Sequence, residues 1–137
     1  MKISLQRIDD KFQFRSGTNE REVYCCAAEK LQGPHQKGQR PMELLLNGLA
    51  ACLSIDVLSI LYKQKQVIDD FRVEVIAERR EEIPSVFTKI QISFFVKGEV
   101  KESFLSRAIH LGKEKYCSAY HSLSPEIVIT TAYFINE

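Results

Sequence analysis

The spacing of apolar residues divides the chain into strand-like ends and a helical middle. Ile3 and Leu5 precede an Asp9-Asp10 turn, and Phe12 and Phe14 then alternate with Gln13 and Arg15 as a half-buried strand does. A second turn at Ser16-Gly17-Thr18-Asn19 leads to a third strand over 22–28. There Val23, Cys25 and Ala27 share one face, and Tyr24, Cys26 and Ala28 the other. Residues 29–40 lose periodicity and carry Gly33, Pro34 and Gly38, which predicts a loop. Pro41 suits a first helical turn, where its missing N–H costs nothing, and the Leu- and Ala-rich stretch to about residue 66 predicts one long helix.

The second half alternates again. Phe71, Val73, Val75 and Ala77 mark one arm of a hairpin over 69–81, and Ile90, Ile92 and Phe94 the other over 86–97, around Glu82-Ile83-Pro84-Ser85. Gly98 interrupts the pattern. Phe104, Leu105, Ala108, Ile109 and Leu111 give helical spacing over 101–116, and 126–135 alternates as a last strand. The order β-β-β-α-β-β-α-β, with strands in runs, predicts a single α+β domain over 1–137 with mostly antiparallel sheets.

The helix of the middle is apolar on nearly every side between Leu44 and Leu61. Such a helix needs cover on nearly every side, and one thin sheet covers a single side, so a second copy of the chain is expected as the remaining cover. Asn47, Ser54, Asp56 and Ser59 interrupt it, which favours a buried helix over a membrane span. A net charge of +1 gives no general attraction for nucleic acid or acidic membranes. The first residues lack the apolar run of a secretory signal, so the four cysteines are expected as free or redox-active thiols in the cytoplasm.

Two of those thiols stand out. Cys52 lies in the long helix between Ala51 and Leu53, and is either a small packing residue or a nucleophile. Cys117 follows the charged run Lys113-Glu114-Lys115 and precedes Ser118 and Ala119, where a break in the helix turns a thiol toward a neighbour; helix-end packing is the plainer role. Asp56 is four residues past Cys52 and on the same helical face. Its charge disfavours a thiolate unless a cation such as Lys63 or a partner-chain residue pairs with it. An interface hydrogen-bond anchor is its other reading. Cys25 and Cys26 point to opposite faces of a strand and read as packing residues. His35, His110 and His121 are scattered, His121 being a surface residue or a proton donor near Cys117. No Cys-x-x-Cys or other zinc-ligand spacing occurs, so no metal is expected.

The segments Arg40-Pro41-Met42-Glu43-Leu44-Leu45-Leu46-Asn47-Gly48-Leu49-Ala50-Ala51-Cys52 and Lys115-Tyr116-Cys117-Ser118 resemble the two cysteine segments of the OsmC/Ohr family. Its element order matches the one deduced above. The resemblance implies an intertwined homodimer with long central helices between sheets. It further implies a thiol-dependent hydroperoxide reductase in which Cys52 is peroxidatic and Cys117 resolving. Such a protein holds no cofactor and is restored by an external dithiol or lipoyl-type reductant. The family's glutamate after the proline is Met42 here, and the nearest carboxylate, Glu43, sits one residue on. That step rotates a helical side chain by about 100°, so Glu43 equally suits the positive end of the helix dipole. Arg40, Arg15 and Arg21 all stay open as the activating cation. Twelve helical residues would put Arg40 roughly 18 Å from Cys52, so it acts only through a bend or on a partner's thiol. The chain thus looks nearest to a less defined OsmC-like branch. The competing function is binding of a small apolar or thiol ligand at the dimer interface without turnover.

Overall fold

A computed structural model describes residues 1–17, 21–34 and 36–137. Thr18 and Asn19 of the second turn, and His35, lie outside the described residues. The chain forms two compact units, Met1–Asn47 and Gly48–Glu137.

In the first unit, β1 (Leu5–Arg7), β2 (Gln13–Ser16) and β3 (Val23–Cys26) make an antiparallel sheet in chain order, with Phe14 opposite Cys25. Cys25 and Cys26 are both buried, so both faces of β3 are covered. The turn between β1 and β2 is built around Asp9. Its Oδ1 accepts from the backbone N–H groups of Lys11 and Gln13, and its Oδ2 from Gln13 Nε2 and Gln32 Nε2. Part of the stretch expected as loop is instead a helical turn, α1 (Glu29–Gln32). It escaped the periodicity because a buried polar residue, not an apolar face, anchors it: Gln32 donates to Asp9 and accepts from Phe12 N–H at 2.9 Å. Gln39 then bridges Cys25 in parallel, and Cys26 Sγ donates to Gly38 O at 3.0 Å.

The long helix α2 (Pro41–Lys63) starts at its proline as expected, and Glu43 accepts from the Arg40 backbone N–H at 3.1 Å. That bond satisfies one of the free donors at a helix start. The boundary between the units falls within α2. Only Leu49, Leu53, Val57 and Leu61, a stripe of four-residue steps, are fully buried along it. Ile55 and Tyr62 are 66% and 59% exposed.

The second unit's sheet has the order β4 (Val67–Arg79), β5 (Phe87–Glu99), β6 (Val128–Ile135), the first pair antiparallel and the second parallel. The predicted alternation is seen directly: Ile90, Ile92, Phe94 and Val96 are buried on one face of β5. Gly98 does not end that strand. It has a φ of +138° and lies opposite a bulge in β4, where Asp69 is the extra residue between Ile68 and Asp70, and a Cβ on Gly98 would meet Val67 O at 2.1 Å. Asn136 closes the same end, accepting from Gly98 N–H and donating to Gly98 O. Between β5 and β6 lie α3 (Glu102–Leu111), a π-helical turn (Gly112–Tyr116) and α4 (Ser118–Ser122). The stripe of α2 joins β5, Ile129 of β6 and Leu105, Ala108 and Ile109 of α3 in the buried set. Each large apolar side chain so buried contributes about 1.5–3 kcal/mol. The α+β class with largely antiparallel strands is therefore the observed one.

Asp9 supplies a pH test of the first unit. Desolvation pushes its carboxyl up, but the hydrogen bonds from Gln13, Gln32 and Lys11 outweigh it and lower the pKa from 3.8 to about 2. A depressed carboxyl contributes stability that is present above 3.8 and lost as pH falls through about 2. Acid denaturation of wild type should show that loss, and Asp9→Asn should lack it while being less stable at neutral pH.

Candidate active site

Cys52 and Asp56 each precede a member of the buried stripe, Leu53 and Val57, and so lie on its flank, both half-buried. The opposing wall comes from the end of α3. Here the predicted single helix over 101–116 changes character. After Leu111 the backbone widens into the π turn, closed by Cys117 N–H donating to Gly112 O at 2.8 Å. Cys117 then leaves helical geometry (φ −72°, ψ 102°) and becomes the cap of α4, its Sγ accepting from Tyr120 N–H at 3.4 Å.

Gly112 makes this approach possible. A Cβ at that position would lie 2.9 Å from Leu53 Cδ1, 3.6 Å from Asp56 Cβ and 3.7 Å from Val57 Cγ2. Without a side chain, the turn comes down on α2 beside Asp56. The result is a cluster in which Cys52 Sγ, Cys117 Sγ and a carboxylate oxygen of Asp56 all lie within 4.8 Å of one another. The two sulfurs, 65 positions apart in sequence, are neighbours.

Their settings differ. Cys52 is partly exposed, whereas Cys117 is 0% exposed. Burial pushes the Cys117 thiol up to about 11; the Tyr120 N–H pulls against it, while a hydrogen bond with Cys52 and the charges of Cys52 and Asp56 add to the rise. Cys117 therefore keeps its proton at neutral pH. Asp56 Oδ2 is buried without a hydrogen-bond partner, and no ion pair joins Asp56 to Lys63, one of the partners considered for it, among the described residues. Both line a pocket of about 420 Å³ with Ser59, Ile60, Gln64, Leu111 and Tyr116. Gln64 Oε1 in that wall is also buried and unpartnered.

The remaining candidates sit elsewhere or are engaged. His121 Nε2 donates to Glu114 O at 3.0 Å, which occupies it in holding the turn. Arg40, exposed, and Glu43 belong to the first unit and meet through the backbone bond at the start of α2. Arg15 pairs with Glu22 at 3.6 Å on the surface, and Arg21 is exposed. The sequence reading overlooked Gly112. A glycine inside an otherwise helical pattern is the available signal for a close approach.

The match to known proteins is extensive. A family model described as OsmC-like protein matches residues 33–132. Protein YhfA of Escherichia coli K12 is 42% identical over 98 residues, 71% of this chain and 73% of its own. A hypothetical protein from Aquifex aeolicus superposes with a TM-score of 0.86 at 29% identity, over 98% of this chain and 95% of that one. The organic hydroperoxide resistance protein OhrB of Bacillus subtilis shares the fold, with a TM-score of 0.65 at 16% identity over 97% and 96% of the two chains.

Two outcomes follow from the geometry. Gly112→Ala should cost about 1–3 kcal/mol in denaturant unfolding, because Leu53 must shift within a packed core, and should slow disulfide formation between Cys52 and Cys117. Thiolate absorbance lost in Cys117→Ser should titrate near 11, and the stability tied to this thiol should be complete below 9.0 and vanish as pH rises through about 11. A midpoint at or below 9.0 would disprove the buried, proton-holding role.

Proposed function

The chain belongs to the OsmC-like protein family, and from that membership we propose that it reduces hydroperoxides with a pair of cysteines and an external dithiol. The observation that carries this reading is the convergence of two sulfurs of unequal exposure, Cys52 reachable and Cys117 buried. Cys52 is the attacking thiolate. Its sulfur bonds to the distal oxygen of the peroxide, the O–O bond breaks, and the alkoxide leaves as alcohol after taking a proton. Cys52 becomes a sulfenic acid. Cys117 sulfur then displaces the sulfenic oxygen, which departs as water with the Cys117 proton, and a disulfide forms. A dithiol or lipoyl-type reductant attacks that disulfide and returns both thiols while becoming oxidised itself.

The sulfurs must close from within 4.8 Å to about 2.05 Å for the disulfide. The end of the π turn at Cys117 is where that movement falls. The 420 Å³ pocket, with Ile60, Leu111 and Tyr116 beside polar Ser59 and Gln64, suits the organic part of the peroxide. The Asp56 carboxyl stands where a catalytic cation is wanted, and the cation is expected from a second copy of the chain. The exposed apolar positions Ile55 and Tyr62 of α2 support that homodimer. The protein is proposed to work in the cytoplasm, where thiols stay reduced.

Thiol counting tests the scheme. Of the four cysteines, two should become unreactive when the reduced protein meets an organic hydroperoxide. Cys52→Ser should keep all its thiols, and Cys117→Ser should stop at a sulfenic acid trapped by a dimedone-type reagent. An unchanged count in wild type, with small apolar molecules raising the melting temperature, would favour the binding reading instead.

A further inference from the structure

The cluster has the composition of a metal site as well as of a redox pair. Two sulfurs and one carboxylate oxygen converge within 4.8 Å, from positions with no recognisable ligand spacing in sequence. Tetrahedral zinc takes thiolate sulfur at about 2.3 Å and carboxylate oxygen at about 2.0–2.2 Å, which sets two liganding sulfurs roughly 3.8 Å apart. Small side-chain adjustments bring the present donors to that spacing. Asp56 adds an independent sign: its Oδ2 is buried and bonded to nothing, an energetically costly state for a carboxylate that a cation would relieve.

We propose that Cys52, Cys117 and Asp56 form a three-ligand site for a zinc ion, which takes both sulfurs as thiolates and releases their protons, that of Cys117 included, to solvent. The donor set decides the metal class. Thiolates select zinc over magnesium or calcium, which want oxygen throughout, and a lone carboxylate gives those ions too little. Asp56 also lines the 420 Å³ pocket, from which a water or small ligand would reach the fourth position. Three protein ligands with an open position make an exchangeable site rather than a closed structural one.

The site shares both sulfurs with the disulfide, so zinc occupancy and oxidation exclude each other. Zinc therefore holds the pair reduced and blocks attack on peroxide, and oxidation expels the ion. Binding itself does not depend on turnover: a chain that never reduces peroxide still binds zinc if the three donors converge.

The test uses the reduced, full-length protein without peroxide, titrated with Co²⁺ and then Zn²⁺. The expected result is a single ion per chain, a near-ultraviolet sulfur-to-cobalt charge-transfer band, and displacement of that band by Zn²⁺. Alkylation mapped by mass spectrometry should show Cys52 and Cys117 protected by Zn²⁺, with Cys25 and Cys26 unaffected. Asp56→Ala should weaken Zn²⁺ binding by more than the ~10-fold that even outer-shell partners commonly command. Absence of the charge-transfer band, protection that falls on Cys25 or Cys26, or undiminished affinity in Asp56→Ala would overturn the site. If Asp56→Ala does not fold, the band and the alkylation map of wild type decide alone. Zinc binding without peroxide-dependent thiol loss would leave this site standing and remove the reductase reading; the reverse result would do the opposite.

Discussion

The contact between Gly112 and the flank of α2 is what the second unit's chemistry depends on. Leu53 Cδ1 stands too near the turn for an added methyl group, and Asp56 and Val57 lie at ordinary contact distance from where it would sit. The helix stripe fixes the position of Cys52 and Asp56, and the turn fixes Cys117. Neither element alone makes a site. Hydrophobic burial of the Leu49–Leu61 stripe holds α2 in place, and the missing side chain lets the second wall arrive.

Burial then divides the labour between two chemically identical groups. Cys52 is open enough to meet a reagent, and Cys117 is closed off and retains its proton. Asp56 complicates the picture. An unpaired carboxylate beside two sulfurs opposes negative charge on either, so the site is electrostatically unfinished within one chain. The proposed cation of a second copy or the proposed metal ion would complete it, and the two answers need not exclude each other at different times.

Much of the fold was legible because its elements obey period two or period 3.6. The alternation of Phe71 to Ala77 and of Ile90 to Phe94 located the hairpin, and Pro41 located the start of α2. Where polar groups replace apolar periodicity, legibility failed. Helix α1 rests on Gln32, and no hydropathy pattern signals a buried amide. Gly98 looked like a strand end because a terminus and a close mid-strand approach at positive φ both favour glycine. For the site, Cys52 and Asp56 could be placed on one face from their spacing, and Cys117 at a helix break. Spacing alone could not choose among the partners considered for Asp56, and no ion pair with Lys63 forms among the described residues although both line one pocket.

The π turn holds a consequence that concerns chain length rather than side-chain identity. Its ladder bond spans five residues, from Cys117 back to Gly112, where an α-helix spans four. Excising one residue from 112–116 would let the ordinary winding continue and swing everything downstream by about 100°. Leu105, Ala108 and Ile109 would keep their places in the core, yet the buried sulfur would look away from its neighbour. Insertions and deletions within this short stretch are thus a route by which related chains could keep the architecture and lose the thiol pair.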